Sequence, residues 1–219
     1  QLLLRPSGGI GRYSAELARL LPVSGSAAGD DGVDVVGFVS RHSAASVIKS
    51  YAAFGLVGDS APETVRISLP RPVLFDCWGV LGRPKLSSLS RRLAAVDIVH
   101  APSLAVPPHP KSAPLVVTVH DAAPLIHPDT YPRRGRWFHE RGFAATARRA
   151  DLVIAPTQAA AEEIMEFTDI SADRIRIVPH GVTDRPVVPG LLKQVRTDLE
   201  LGEEPFVLWV GTLEPRKNL

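Results

Sequence analysis

Apolar and polar positions alternate along the chain in two rhythms. Short runs of aliphatic and β-branched residues recur at 33–39, 65–69, 97–100, 116–119, 152–155, 174–178 and 206–210. Most are bounded by proline, glycine or polar residues, and such runs read as short strands, those at 97–100 and 116–119 buried on both faces. Between them the apolar residues return every three or four positions, the period of a helix. These stretches are 12–21 (Tyr13, Leu17, Leu20, Leu21), 43–54, 73–81, 131–150, 158–167 and 190–201 (Leu191, Leu192, Val195, Leu199). Leu2, Leu3 and Leu4 read as the stub of a further strand entering the glycine-rich turn Ser7-Gly8-Gly9-Ile10-Gly11. Residues 24–32 are small and polar, a loop; 84–95 form a basic, serine-rich connection without a clear period; 101–114 form a loop with five prolines. Strands alternating with helices predict an α/β fold, a doubly wound and mainly parallel sheet with helices on both faces. The run at 206–210, followed by a polar turn, reads as the first strand of a second domain, with residues 1–204 forming the first.

The run at 116–119 organises the rest. It leads straight into His120 and Asp121 and is stopped by Pro124. In open α/β sheets ligands bind in the crevice beyond the carboxyl ends of the strands, so the pair stands where chemistry is expected. Adjacent residues at a strand end point in opposite directions; one faces the cleft and the other ties down the following loop. His180, in Pro179-His180-Gly181, ends another strand at the same edge, although a turn histidine is more often structural. Gly8, Gly9 and Gly11 stand between a strand and a helix, where backbone N–H groups can approach a diphosphate at the positive helix end. The spacing is not the dinucleotide fingerprint, because Ser14 stands where a third glycine belongs; a tight turn without ligand is an equal reading. Arg216 and Lys217 follow the last strand. They read as a solvated pair unless an anion lies beside them, where they would neutralise a leaving phosphate.

Composition narrows the field. The chain has 219 residues, 45% of them hydrophobic, enough for a sizeable core. Its formal charge of +2 shows no overall balance for binding polyanions, and nucleic acid is not an expected partner. A lone cysteine, Cys77, excludes an internal disulfide and a cysteine-rich metal site, which suits the cytosol. No histidine or acidic residue near His120 has metal-ligand spacing, so no metal is expected. There is no apolar run of the ~18 residues a membrane span needs. Neither a G-x-S-x-G elbow nor Walker A spacing occurs, which disfavours a triad hydrolase and a P-loop enzyme. The stretch from Tyr131 carries Arg133, Arg134, Arg136, Arg141, Arg148 and Arg149 around Trp137 and Phe138. It reads first as a solvated face, with contact to acidic lipid as the sharper alternative.

Taken in order, Gly8-Gly9-Ile10-Gly11-Arg12-Tyr13, residues 116–124, residues 150–157, Ile177-Val178-Pro179-His180-Gly181-Val182 and residues 210–219 resemble group-1, family-4-type retaining glycosyltransferases. The resemblance implies the N-terminal Rossmann-like, acceptor-side half of a GT-B fold, with 205–219 opening a truncated nucleotide-sugar-binding domain. It implies that Gly9, Gly11 and Arg12 meet the donor diphosphate, that His120 lies beside the transferred sugar, and that Asp121 orders the next loop. Arg216 and Lys217 would hold the diphosphate, with His180 lining the cleft. The family works without a bound metal or cofactor. The donor would be a nucleotide-diphosphate sugar, GDP-mannose the commonest expectation, and the acceptor a glycan, a lipid-linked oligosaccharide or a small molecule. The setting would be cytoplasmic, at the inner membrane face where the helix over Arg133–Arg149 touches lipid. Thr212 departs from the pattern, since many members carry arginine there. The paired glutamates of the downstream domain are absent from these 219 residues, so this chain alone is expected to be inactive. The other class of reading is a non-catalytic Rossmann-like module that binds a nucleotide or a protein partner.

Overall fold

The computed structural model describes residues 8–26, 32–182, 188–202, 204–211 and 217. The chain forms two compact units, Gln1–Pro179 and His180–Leu219. In the first, helix α1 (Gly8–Ser26) is followed by β1 (Val36–Val39), α2 (Ala44–Ala52), β2 (Glu63–Arg66), α3 (Arg71–Val80) and the short α4 (Arg91–Ala94). Then come β3 (Val99–Ala101), β4 (Leu115–Thr118), the short α5 (Ala123–Ile126), α6 (Arg133–Arg149), β5 (Leu152–Ala155), α7 (Gln158–Phe167) and β6 (Ile175–Ile177).

All described strand pairs are parallel, with β3, β4, β5 and β6 in one sheet in that order and β1 paired with β2 in another. The predicted fold class, α/β with a Rossmann-like parallel sheet, is the one observed. Val117 lies opposite Ala101 on one side and Val153 on the other. Leu115, Val117, Val119, Val153 and Ala155 are fully buried, as strands covered on both faces must be. Asp151 locks the start of β5 to β4: its carboxylate accepts from Leu115 N (2.7 Å), and its own N–H donates to the Leu115 carbonyl (2.9 Å). The β1–β2 pair contributes Val36, Phe38 and Val65 to the same core, and Ile67 follows β2 into it. Among the described strands, β1 and β3 are each hydrogen-bonded on one side only. They border a cavity of about 320 Å³, closed by Leu17 and Ala18 of α1 and by Leu74 and Trp78 of α3.

Local chemistry explains where the helices begin. Ser43, Ser90 and Thr157 each accept a backbone N–H of the turn they precede, from Ser46, Arg92 and Ala160 respectively, at 3.1 Å. Each bond satisfies one of the donors a helix start leaves without a partner. Helices α3 and α6 follow Pro70 and Pro132 instead. At the far end of α6, Arg174 donates to the carbonyls of Ala147 (2.9 Å) and Ala150 (3.1 Å), a cation at a helix C-terminus. Gly142 lets α6 press against the loop after β3, since a Cβ there would stand 2.6 Å from the Leu104 carbonyl oxygen.

Two expectations need correction, and one stretch without a clear period takes a definite form. The stretch read as a glycine turn is already helix from Gly8, and α1 continues past Pro22 to Ser26. Gly8 has φ +56°, a left-handed entry that suits glycine, so the helix starts there and Gly9 and Gly11 belong to its first turn. The uncertain connection at 84–95 contains α4 and a single 3₁₀ turn, Leu86–Ser88, whose Leu86 is buried. Residues 206–210 form no strand, and Val207 is 99% exposed. A strand exists only by pairing, and no described strand of that unit offers an edge. That unit holds one α-helix among its described residues, α8 (Pro189–Asp198), and the Arg196 guanidinium lies 5.8 Å from the centre of the Phe206 ring. The predicted strand stub Leu2–Leu4 lies outside the described residues.

Candidate functional site

Side chains alternate along β4. Leu115, Val117 and Val119 share one face; Val116, Thr118 and His120 share the other. The second face carries polar groups just where the strand runs out, because β4 ends at Thr118 and only Val119 still bonds to the neighbouring Ile154 carbonyl (2.9 Å). His120 therefore sits immediately beyond the carboxyl end of β4. Its Nε2–H donates to the Pro102 carbonyl (3.0 Å) in the loop after β3, which defines the ring tautomer. Asp121 is exposed and turns the other way. Its carboxylate accepts from Ala123 N (3.0 Å) at the start of α5.

The start of α1 is at the same place. Tyr13, in its second turn, reaches the Thr118 hydroxyl (3.0 Å), and its ring meets His120 edge-on with centroids 5.2 Å apart. The structure thus brings the second turn of α1 and His120 together. The first four N–H groups of a helix lack intrahelical partners, and here they belong to Gly8, Gly9, Ile10 and Gly11. Gly9 is exposed, and a Cβ there would meet nothing within 4 Å; Gly11 is buried and Arg12 exposed.

His180 and Lys217 belong to the second unit, and both are exposed. Arg216 lies outside the described residues, as does Thr212. Among the described residues no group of three or more His, Cys, Asp or Glu is placed to hold a metal ion.

Three residues that the sequence did not single out join the cluster. His100 of β3 bonds the Thr118 hydroxyl through Nε2 (2.8 Å), and Tyr13 bonds the same hydroxyl from the other side. Burial, reinforced by the charge of nearby His120, holds the His100 pKa below the usual histidine value. The available signal was the position of His100 at the end of the run 97–100, directly after Ile98 and Val99. It differs from that of His120 only in lacking a neighbouring carboxylate.

The arginines of α6 are largely engaged within the molecule. Arg134 pairs with Asp76 (2.9 Å) and Arg136 with Asp129 (3.7 Å), and Arg141 lies over the Trp137 ring (5.2 Å). Arg149 donates to the Trp78 carbonyl (3.1 Å), and burial lowers its pKa from the ordinary arginine value. No described helix is long and apolar enough to cross a membrane.

Comparison with known proteins gives this arrangement a context. Residues 7–185 match the family model described as Glycosyltransferase Family 4. The serotype-specific mannosyltransferase WbdA of Escherichia coli is 29% identical over an alignment of 159 positions that covers 63% of this chain and 19% of that protein. The O-antigen chain mannosyltransferase B of Escherichia coli is 24% identical over an alignment of 220 positions that covers 98% of this chain and 55% of that protein. The chain thus spans from about a fifth to about half the length of the curated relatives it matches. The crystal structure of Anabaena Alr3699/HepE in complex with UDP and glucose superposes with a TM-score of 0.50 at 16% identity, over 89% of this chain and 47% of that one, a likeness of fold.

Proposed function

Because the chain belongs to Glycosyltransferase Family 4, we propose that it is the acceptor-side half of a retaining enzyme that moves a sugar from a nucleotide-diphosphate donor to a glycan, lipid-linked or small-molecule acceptor. GDP-mannose is the donor named by this reading. It is supported by the names of two Escherichia coli relatives, both mannosyltransferases. The observation that carries the reading is the meeting of α1, through Tyr13 in its second turn, with His120 beyond the carboxyl end of β4. That is the rim of a parallel sheet where ligands of such folds sit.

The chemistry asked of this rim is charge stabilisation. The bond from the anomeric carbon to the diphosphate breaks, the acceptor oxygen bonds the same face, and its proton passes to the departing diphosphate. Negative charge grows on that leaving group. The N–H groups of Gly9 and Gly11 at the positive end of α1, with the Arg12 side chain, are the donors this unit offers it. Arg216 and Lys217 enter as further cations on the strength of their motif, and His180 as a wall of the cleft. His120, its plane held by the Pro102 carbonyl, is assigned to the transferred sugar, and Asp121 to the loop behind it. No metal ion is assigned a part. The reading places the enzyme in the cytoplasm. Contact with an anionic membrane surface would rest chiefly on Arg133 and Arg148, because the remaining α6 arginines have partners within the molecule.

The test is turnover by the intact protein on a panel of nucleotide sugars, with and without a chelator. His120→Ala should lower the rate by about 10²–10⁴-fold. An unchanged rate removes His120 from the site, and activity abolished by chelation removes the metal-free part of the mechanism. Nucleotide binding without transfer from any donor would favour the non-catalytic module.

A further inference from the structure

A buried hydroxyl is tolerated only when its hydrogen bonds are made. The Thr118 side chain is fully buried, yet it stands on the polar face of β4 rather than in the aliphatic core. A hydroxyl gives one proton and accepts two, so it can bond Tyr13 Oη (3.0 Å) and His100 Nε2 (2.8 Å) at once. The two partners come from α1 and β3, far apart in sequence, and each is a flat ring. The Tyr13 ring stands at 88° to His100 (centroids 6.4 Å apart) and at 89° to His120 (5.2 Å). Edge-to-face pairing of this kind is directional. The His120 ring is therefore held twice, by the Pro102 carbonyl at Nε2 and by the Tyr13 ring against it.

We propose that Thr118, with Tyr13 and His100, is a positioning brace that sets the plane of the His120 imidazole for glycosyl transfer. The inference rests on the functional reading above for the word transfer, and on this geometry alone for the word brace. The hydroxyl fixes the Tyr13 ring, and the Tyr13 ring fixes His120. None of the three needs to touch the sugar. The gain is orientation: a displacement of about 1 Å at a reacting group can cost about 10²-fold in rate.

The experiment uses the intact protein with GDP-mannose as donor probe, in three variants. Thr118→Val keeps the shape of the side chain and loses the hydroxyl, Thr118→Ser keeps the hydroxyl, and Tyr13→Phe keeps the ring and loses its tether. Two quantities are read: nuclear Overhauser cross-peaks between the Tyr13 and His120 rings (Phe in place of Tyr13 in the third variant) without donor, and kcat and KM with it. Thr118→Val and Tyr13→Phe should weaken or abolish the cross-peaks and lower kcat by about 10–10²-fold, with KM for the donor nearly unchanged. Thr118→Ser should restore both. A purely structural threonine would lower the melting temperature of Thr118→Val without this split between kcat and KM. Cross-peaks that persist in both hydroxyl-less variants overturn the brace, whatever the rate does. Cross-peaks that vanish while the rate stays unchanged keep the brace and overturn the placement of His120 at the transfer site.

Discussion

The unit ending at Pro179 and the unit beginning at His180 are built from similar apolar patterns and come to opposite ends. In the first, Val117 and Val153 are fully buried between neighbouring strands, and Leu74, Trp78 and Phe143 close the core around them. In the second, Leu191, Leu192 and Val195 lie on one face of α8 at helical spacing, and every one is exposed. Phe206 to Val210 is as apolar as any strand of the sheet, yet it is irregular and exposed. Amphipathic pattern prepares a segment to be buried, but stability comes from the surface it is buried against.

The sharpest way to break the contrast is to charge both regions. Val117→Asp would place an unpaired carboxylate in the middle of the four-stranded sheet. It should cost more than about 4 kcal/mol and remove most or all of the cooperative urea transition. A transition shifted only slightly would mean that the sheet is not the stabilising centre. Gly142→Ala probes the same unit more gently, because the new Cβ must displace Leu104 or the backbone behind it. We expect a loss of about 1–3 kcal/mol in chemical denaturation, the usual range for overpacking. Leu191→Asp, on the exposed face of α8, should change the stability of this chain by no more than about 0.5 kcal/mol. A large effect there would show that α8 has a partner surface in solution and would erase the contrast.

Much of the first unit is legible in the amino-acid pattern. Strand β5 and helix α7 occupy the residues their patterns predict, 152–155 and 158–167, because a continuous apolar run or a capped amphipathic stretch leaves few alternatives. Asp121 reads as a loop-ordering residue, and its carboxylate accepts from Ala123 N at the start of α5. The start of α1 is easily misread because glycines suggest a turn, whereas one left-handed residue, Gly8, is enough to launch the helix. Tyr13 reads as a helix-face residue and Thr118 as an interruption in an apolar run. Their hydrogen bond spans 105 positions, and no local pattern encodes it.

The amino-acid sequence determined by itself the alternation of strand and helix, the parallel sheet, and the placing of His120 at the end of a strand. These follow from backbone preference and from the period of apolar residues, both of which act over a few neighbours. The tertiary structure alone decided that α1 would bring Tyr13 against His120, and that Thr118 would join rings from two distant segments. It also decided which apolar faces would be covered. Such meetings depend on where separate segments come together, and that is settled only when the whole core has closed.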